Sequence, residues 1–288
     1  MNEPVEETFI IESSAGQELH GVVHLPQRGG PCPTVVICHG FKGFMEWGFF
    51  PPLANLLAER GMTAIRFNFS GAGMKPGDNL VTDTEAFRLA TLSRDRDDLL
   101  DVLAALERGE LAAGRADISR LGIIGHSRGG NTAVLTAAHA NWRQRLRALV
   151  TWASVGSYPD LYPEALKDEW RQNGHLNVKN ARTGQELPVD ASVLIEMETH
   201  KSELTALGQA PHVEAPWLIV HGTDDPGVPV EQARQLNEAA THEQEHMRLL
   251  LEIQDGGHTF GAVHPFQGPT PHLIEAMNAT QLWLKRWL

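Results

Sequence analysis

The chain is poor in cysteine, in basic charge and in long apolar runs. Two cysteines in 288 residues, Cys32 and Cys38, exclude a disulfide framework and fit a reducing compartment. Basic residues number 24 against 36 acidic ones, a net charge of −12. That balance argues against nucleic acid and anionic membranes as partners, because both are bound through basic patches. No uninterrupted apolar stretch is long enough to cross a bilayer. The opening residues, Met1 to Glu7, are acidic and have neither the basic n-region nor the apolar h-region of a signal peptide. The expected location is therefore cytoplasmic. Internal repeats and low-complexity tracts are lacking as well.

What is present is alternation. Phe9–Ile11 and Leu19–Leu25 read as an opening antiparallel pair with Ala15-Gly16 in the turn. Thr34–Cys38 is a continuous β-branched run, the pattern of a strand buried on both faces. Further strands are expected at 63–69, 121–124, 148–153, 217–220 and 247–253. Helices are expected at 53–60, 95–106, 131–139, 230–240 and 273–287. Strands alternating with helices predict an α/β fold, a mostly parallel sheet with helices on both faces. The rhythm breaks from about 156 to 215, where Tyr158, Tyr162, Trp170, Gly174 and Pro188 are mixed with charges. A stretch of this length between core strands reads as a lid of short helices with a hairpin. The expected division is core 1–155, lid 156–215 and core 216–288.

The most informative segment is Gly125-His126-Ser127-Arg128-Gly129, which follows an apolar run and precedes a helix-compatible stretch. That context makes it a candidate nucleophile elbow, a turn so tight that the serine hydroxyl is exposed at the sheet edge. A serine hydroxyl needs a base, and the base needs a carboxylate to orient it. Two later strands end in suitable groups. His221-Gly222-Thr223-Asp224-Asp225-Pro226-Gly227-Val228-Pro229 follows one, and Asp255-Gly256-Gly257-His258-Thr259-Phe260 follows the other. Ser127, an aspartate at 224 or 225, and His258 thus stand in chain order at strand ends, where ligands of open α/β sheets bind. The oxyanion needs two preorganised N–H donors. The backbone N–H of Arg128 is one candidate and that of Phe41, in His39-Gly40-Phe41-Lys42-Gly43, the other.

On these residues the chain resembles the α/β-hydrolases, most of all bacterial carboxylesterases of the cinnamoyl or feruloyl esterase group. The resemblance implies a serine carboxylesterase acting through an acyl-enzyme on short-acyl or hydroxycinnamoyl esters, with no cofactor and no metal. It also implies that the acid lies three residues before a Val-Pro pair, hence Asp225 rather than Asp224. A thioesterase or peptidase on the same machinery, or a non-catalytic binding protein on this fold, is the alternative. The expected partner is a small-molecule ester, with a homodimer left open. Asn180–Gln185 resembles a turn in such esterases.

Other features compete. His242-Glu243-Gln244-Glu245-His246 has the spacing of a zinc-protease helix, but it is polar throughout and falls in a short connection, which favours a solvated loop. Gly71-Ala72-Gly73 is not a dinucleotide fingerprint, because Pro76 stands where the third glycine belongs. His39 is expected to pack beneath the oxyanion loop, His126 to shape the elbow, and His264 and His272 to lie at the surface. Phe41, Phe44, Trp47, Phe49 and Phe50 are equally consistent with an acyl or aryl pocket and with core.

Overall fold

The computed structural model describes residues 4–240 and 247–288. Its frame is an eight-stranded sheet in the order β1-β2-β4-β3-β5-β6-β9-β10. The strands are β1 Val5–Glu12, β2 Glu18–Leu25, β3 Cys32–Cys38, β4 Thr63–Phe67, β5 Ala116–His126, β6 Leu146–Trp152, β9 Trp217–Gly222 and β10 Arg248–Ile253. A separate hairpin joins β7 His175–Lys179 to β8 Glu186–Asp190. β1 and β2 are antiparallel to their neighbours, and from β4 to β10 every pairing is parallel. This is the α/β-hydrolase fold.

The helices are α1 Phe50–Glu59, α2 Thr84–Arg88, α3 Leu92–Glu107, α4 Arg128–Ala138, α5 Glu164–Asn173, α6 Ala191–Thr199, α7 Lys201–Leu204, α8 Ala206–Gln209, α9 Val230–Ala239 and α10 Pro271–Trp287. Their apolar faces divide the core by strand alternation. Val36 and Cys38 of β3 join Leu99 and Val102 of α3, Ala133 of α4 and Leu236 of α9 on one face. Val35 and Ile37 join Leu53 and Leu57 of α1 and Leu273 and Leu284 of α10 on the other. All seven residues of β3 are buried, as its β-branched run predicts.

Local chemistry sets the ends. Thr91 Oγ1 accepts from the Arg94 N–H at 3.3 Å, so α3 starts at Leu92, ahead of the Asp95 expected from its apolar spacing. Thr270 Oγ1 accepts from Leu273 N–H at 3.1 Å and Pro271 takes the first turn of α10. The helical turn α2, capped by Asp83, leaves no apolar pattern in the sequence because only Phe87 of its residues is buried.

Between β6 and β9 the chain forms α5, the β7–β8 hairpin, α6 and two short turns, α7 and α8. Trp170, Leu187, Val189, Val193, Leu194 and Met197 from this segment pack with Phe44, Phe87 and Val155 into a third apolar cluster. Arg88 ties α2 to Asp190, and Glu196 Oε2 accepts from the Leu92 N–H at 2.9 Å. Among the described residues, no helix is long and apolar enough to cross a membrane. Cys32 and Cys38 are buried free thiols.

Candidate active site

β5 runs directly into α4 through Ser127, whose backbone has φ 56° and ψ −117°. A non-glycine residue there costs on the order of 1–3 kcal/mol and persists only where its surroundings over-determine it. Here the Ser127 N–H donates to Trp152 O at 2.8 Å, and Ser127 O accepts from Gly130 N at 3.0 Å and Val155 N at 3.2 Å. The flanking glycines are required by contact. A Cβ on Gly125 would lie 2.1 Å from Gly129 O, and one on Gly129 would lie 2.4 Å from both Cys38 O and His39 O. The motif therefore reads as a packing requirement between β5, α4 and the end of β3.

The loops after β9 and β10 bring two groups to this turn. His258 Nε2 lies 3.0 Å from Ser127 Oγ, and His258 Nδ1 lies 2.7 Å from Asp225 Oδ2. Asp225 Oδ1 accepts from the N–H groups of Gly227 at 2.8 Å and Val228 at 2.9 Å, which fixes the carboxylate plane. Burial acts to raise the Asp225 carboxyl, but the facing rings of His221 and His258 outweigh it and hold it well below the usual carboxylate range. Asp225 thus stays ionised. Asp224, the neighbouring candidate, is exposed and does not reach His258. Ser127 is 7% exposed, and the His258 side chain is 28% exposed.

The loop after β3 closes over the serine. A Cβ on Gly40 would sit 3.0 Å from Ser127 Cβ, so the peptide linking Gly40 to Phe41 packs against the elbow. Arg128 opens α4, where a backbone N–H has no carbonyl one turn earlier to receive it. Its side chain turns inward. Nε donates to Asp95 Oδ2 at 2.5 Å, and Nη2 donates to Ala90 O at 2.7 Å and Thr91 O at 2.9 Å. The guanidinium carbon lies 5.6 Å from the centre of the Phe41 ring. A small recess of about 20 Å³ is walled by Phe41, Lys42, Phe87, Asp95 and Arg128. No local pattern in the sequence encodes the buried Arg128–Asp95 pair, because only the backbone of Arg128 enters the elbow pattern.

The remaining histidines act on backbone. His39 Nε2 accepts from Phe69 N–H at 3.2 Å, which leaves Nδ1 to donate to Gly40 O at 2.9 Å. Burial lowers His39 to about 4. His126 Nε2 donates to His258 O at 2.9 Å, and burial, followed by the neighbouring His258, lowers it to about 3. Both rings are neutral props for the loops they hold. His264 departs from the surface position expected for it. It is half-buried, its Nδ1 accepts from Gly48 N–H at 3.0 Å, and its ring lies 5.0 Å from that of Phe44. The aromatic group splits. Phe49 and Phe50 are core against Trp152 and His126, whereas Phe41 stacks on Phe87 at 5.3 Å in the loop after β3. The His242–His246 motif lies outside the described residues. Among the described residues, no group of three His, Cys, Asp or Glu side chains could hold a metal ion.

Comparison with known proteins agrees with this architecture. Est1E from Butyrivibrio proteoclasticus is similar in structure, with a TM-score of 0.66 and 19% identity over 97% of this chain and 98% of that one. An esterase domain from a Rhodothermus marinus protein gives 0.65 and 17% over 98% and 99%. Pyrococcus horikoshii acylaminoacyl peptidase gives 0.70 and 20%, covering 100% of this chain and 42% of the peptidase. At these identities the likeness is one of fold. No curated protein matches the sequence. Residues 47–287 match the prolyl oligopeptidase family. The chain therefore belongs to the prolyl oligopeptidase family, within the α/β-hydrolase-fold serine hydrolases that include esterases and peptidases.

Proposed function

We propose that the protein is a serine carboxylesterase working through an acyl-enzyme, with Ser127 as nucleophile, His258 as general base and acid, and Asp225 as the carboxylate that orients it. The observation that carries this reading is the hydrogen-bonded chain Ser127 Oγ–His258–Asp225, at 3.0 Å and 2.7 Å. With Asp225 ionised, His258 Nδ1 keeps its proton and Nε2 is free to accept one from Ser127. Oγ attacks the ester carbonyl as its proton passes to Nε2. The tetrahedral oxyanion is received by the N–H groups of Phe41 and Arg128. Collapse expels the alcohol with the proton from His258. Water then attacks the acyl-enzyme, giving up a proton to the same nitrogen, and the acid is released. The segment 156–215 serves as the lid. No step requires a cofactor or metal.

Family membership favours a second reading, hydrolysis of a peptide or aryl amide by the same groups. The two differ in the leaving group, since an amine must be protonated as it departs. Turnover of 4-nitrophenyl acetate and butyrate beside aminoacyl 4-nitroanilides separates them. The ester reading predicts far higher kcat/KM on the esters, and preference for the anilides would overturn it. Ser127→Ala should abolish turnover of either class while the protein stays folded.

A further inference from the structure

Three cationic side chains border the loop that carries Phe41. Arg128 is neutralised by Asp95. Lys42 and Arg182 are not. Among the described residues, neither has a carboxylate within 4.0 Å, although the chain contains 36 acidic residues. Lys42 directly follows Phe41, and its Nζ lies 5.7 Å from the Phe41 ring centre. Its backbone is held at φ 59°, an uncommon conformation for a lysine. Arg182 sits in the β7–β8 turn, with its guanidinium carbon 5.0 Å from the centre of the Phe44 ring. Phe44 in turn contacts His264, on the loop that carries His258.

The donors in this corner outnumber their acceptors. Lys42 Nζ reaches Lys179 O at 3.1 Å, one bond for three protons. Arg182 Nη1 reaches Asn79 O at 2.6 Å, but Nη2 is buried without a partner. Asn180 is 4% exposed, and its Oδ1 accepts from Arg182 N–H at 3.2 Å, which leaves Nδ2 as the amide donor. That nitrogen, too, is buried without a partner. Burial lowers Lys42 and Arg182 alike, as expected for charges without a counter-ion. A buried donor left unpaired is destabilising, and more so when it is charged. A tether between hairpin and loop explains the Lys179 contact but leaves the other donors unanswered.

We infer that the substrate carries a carboxylate away from the scissile carbonyl, and that Lys42, Asn180 and Arg182 receive it between the oxyanion loop and the hairpin turn. This rests on the esterase reading above. A guanidinium, an ammonium and an amide N–H₂ offer what a carboxylate accepts and nothing that a neutral alkyl chain needs.

The test is kcat/KM for 4-nitrophenyl butyrate and for mono-4-nitrophenyl glutarate, with the wild type, Lys42→Met and Arg182→Gln. The anionic ester should be preferred by the wild type. The ratio of anionic to neutral kcat/KM should fall by about tenfold or more in each variant, mainly through KM. Glutarate itself should inhibit wild-type butyrate hydrolysis competitively, a measurement that needs no variant. Turnover of the butyrate with no preference for charge, no glutarate inhibition and an unmoved ratio would overturn the inference alone. Failure to turn over either ester, together with no covalent labelling of Ser127, would overturn the esterase reading and the inference with it.

Discussion

Arg128 and Asp95 form an ion pair at 2.5 Å with side chains only 6% and 5% exposed, and it links the first turn of α4 to α3. The same arginine supplies a proposed oxyanion donor through its backbone. Its two further bonds, to Ala90 O and Thr91 O, anchor the entry to α3, so the elbow and α3 are held as one unit.

Removing one partner of a buried pair leaves the other charge uncompensated, which costs about 3–5 kcal/mol. Asp95→Asn should therefore lower stability by about that amount in urea denaturation and reduce kcat with it. Asp95→Leu combined with Arg128→Met, which removes both charges, should recover much of the stability. Equal losses in the single and double variants would show that packing, not charge pairing, governs this contact.

Asp225 and Asp224 adjoin in sequence but differ in every structural respect. Asp225 holds His258 with one oxygen and two loop N–H groups with the other. Asp225→Asn should lower kcat by about 10⁴, since the amide favours the wrong tautomer of the base. Asp224→Asn should change kcat by less than about twofold, as befits an exposed side chain without a role in the chemistry. Comparable losses from the two substitutions would contradict the assignment.

Asp98 is buried on α3, and burial raises its carboxyl from the usual 3.8 to about 7, even though Ser70 N–H and Oγ–H both donate to it at 2.7 Å. The folded-state value is raised, so the folded protein keeps a proton that the unfolded chain has released. The associated stability is fully present below about pH 4 and is lost as pH rises towards 7. Asp98→Asn keeps an oxygen for Ser70 and removes this titration. Relative to wild type it should gain stability between pH 4 and 7, by roughly 1.4 kcal/mol per pH unit at most. A stability difference independent of pH would contradict the shift.

The order of strands and helices is legible in the sequence because a parallel sheet buried on both faces demands continuous apolar runs, as in Thr34–Cys38 and Trp217–Val220. The approach of Ser127, an aspartate at 224 or 225 and His258 is legible for a topological reason, while the choice of Asp225 comes from the family resemblance. Parallel strands of one sheet deliver their following loops to the same edge, whatever their separation in the chain. What escapes is contact that no local pattern encodes. Arg128 meets Asp95 from 33 positions away and Lys42 meets Lys179 from 137, and neither side chain belongs to a periodic face. His264 looks like an ordinary surface histidine until Gly48 N–H is found donating to its ring. The hairpin within 156–215 is foreshadowed by the resemblance of Asn180–Gln185 to an esterase turn, whereas the packing of α6 on α5 and β8 is set by tertiary contact.

The measurement that tests the central claim most directly is intact-mass analysis after treatment with a fluorophosphonate, with peptide mapping and residual turnover of 4-nitrophenyl butyrate. The account predicts a single adduct on Ser127, activity lost in proportion to labelling, and no adduct in Ser127→Ala. An adduct at another residue, or full turnover by folded protein whose Ser127 is blocked, would contradict it.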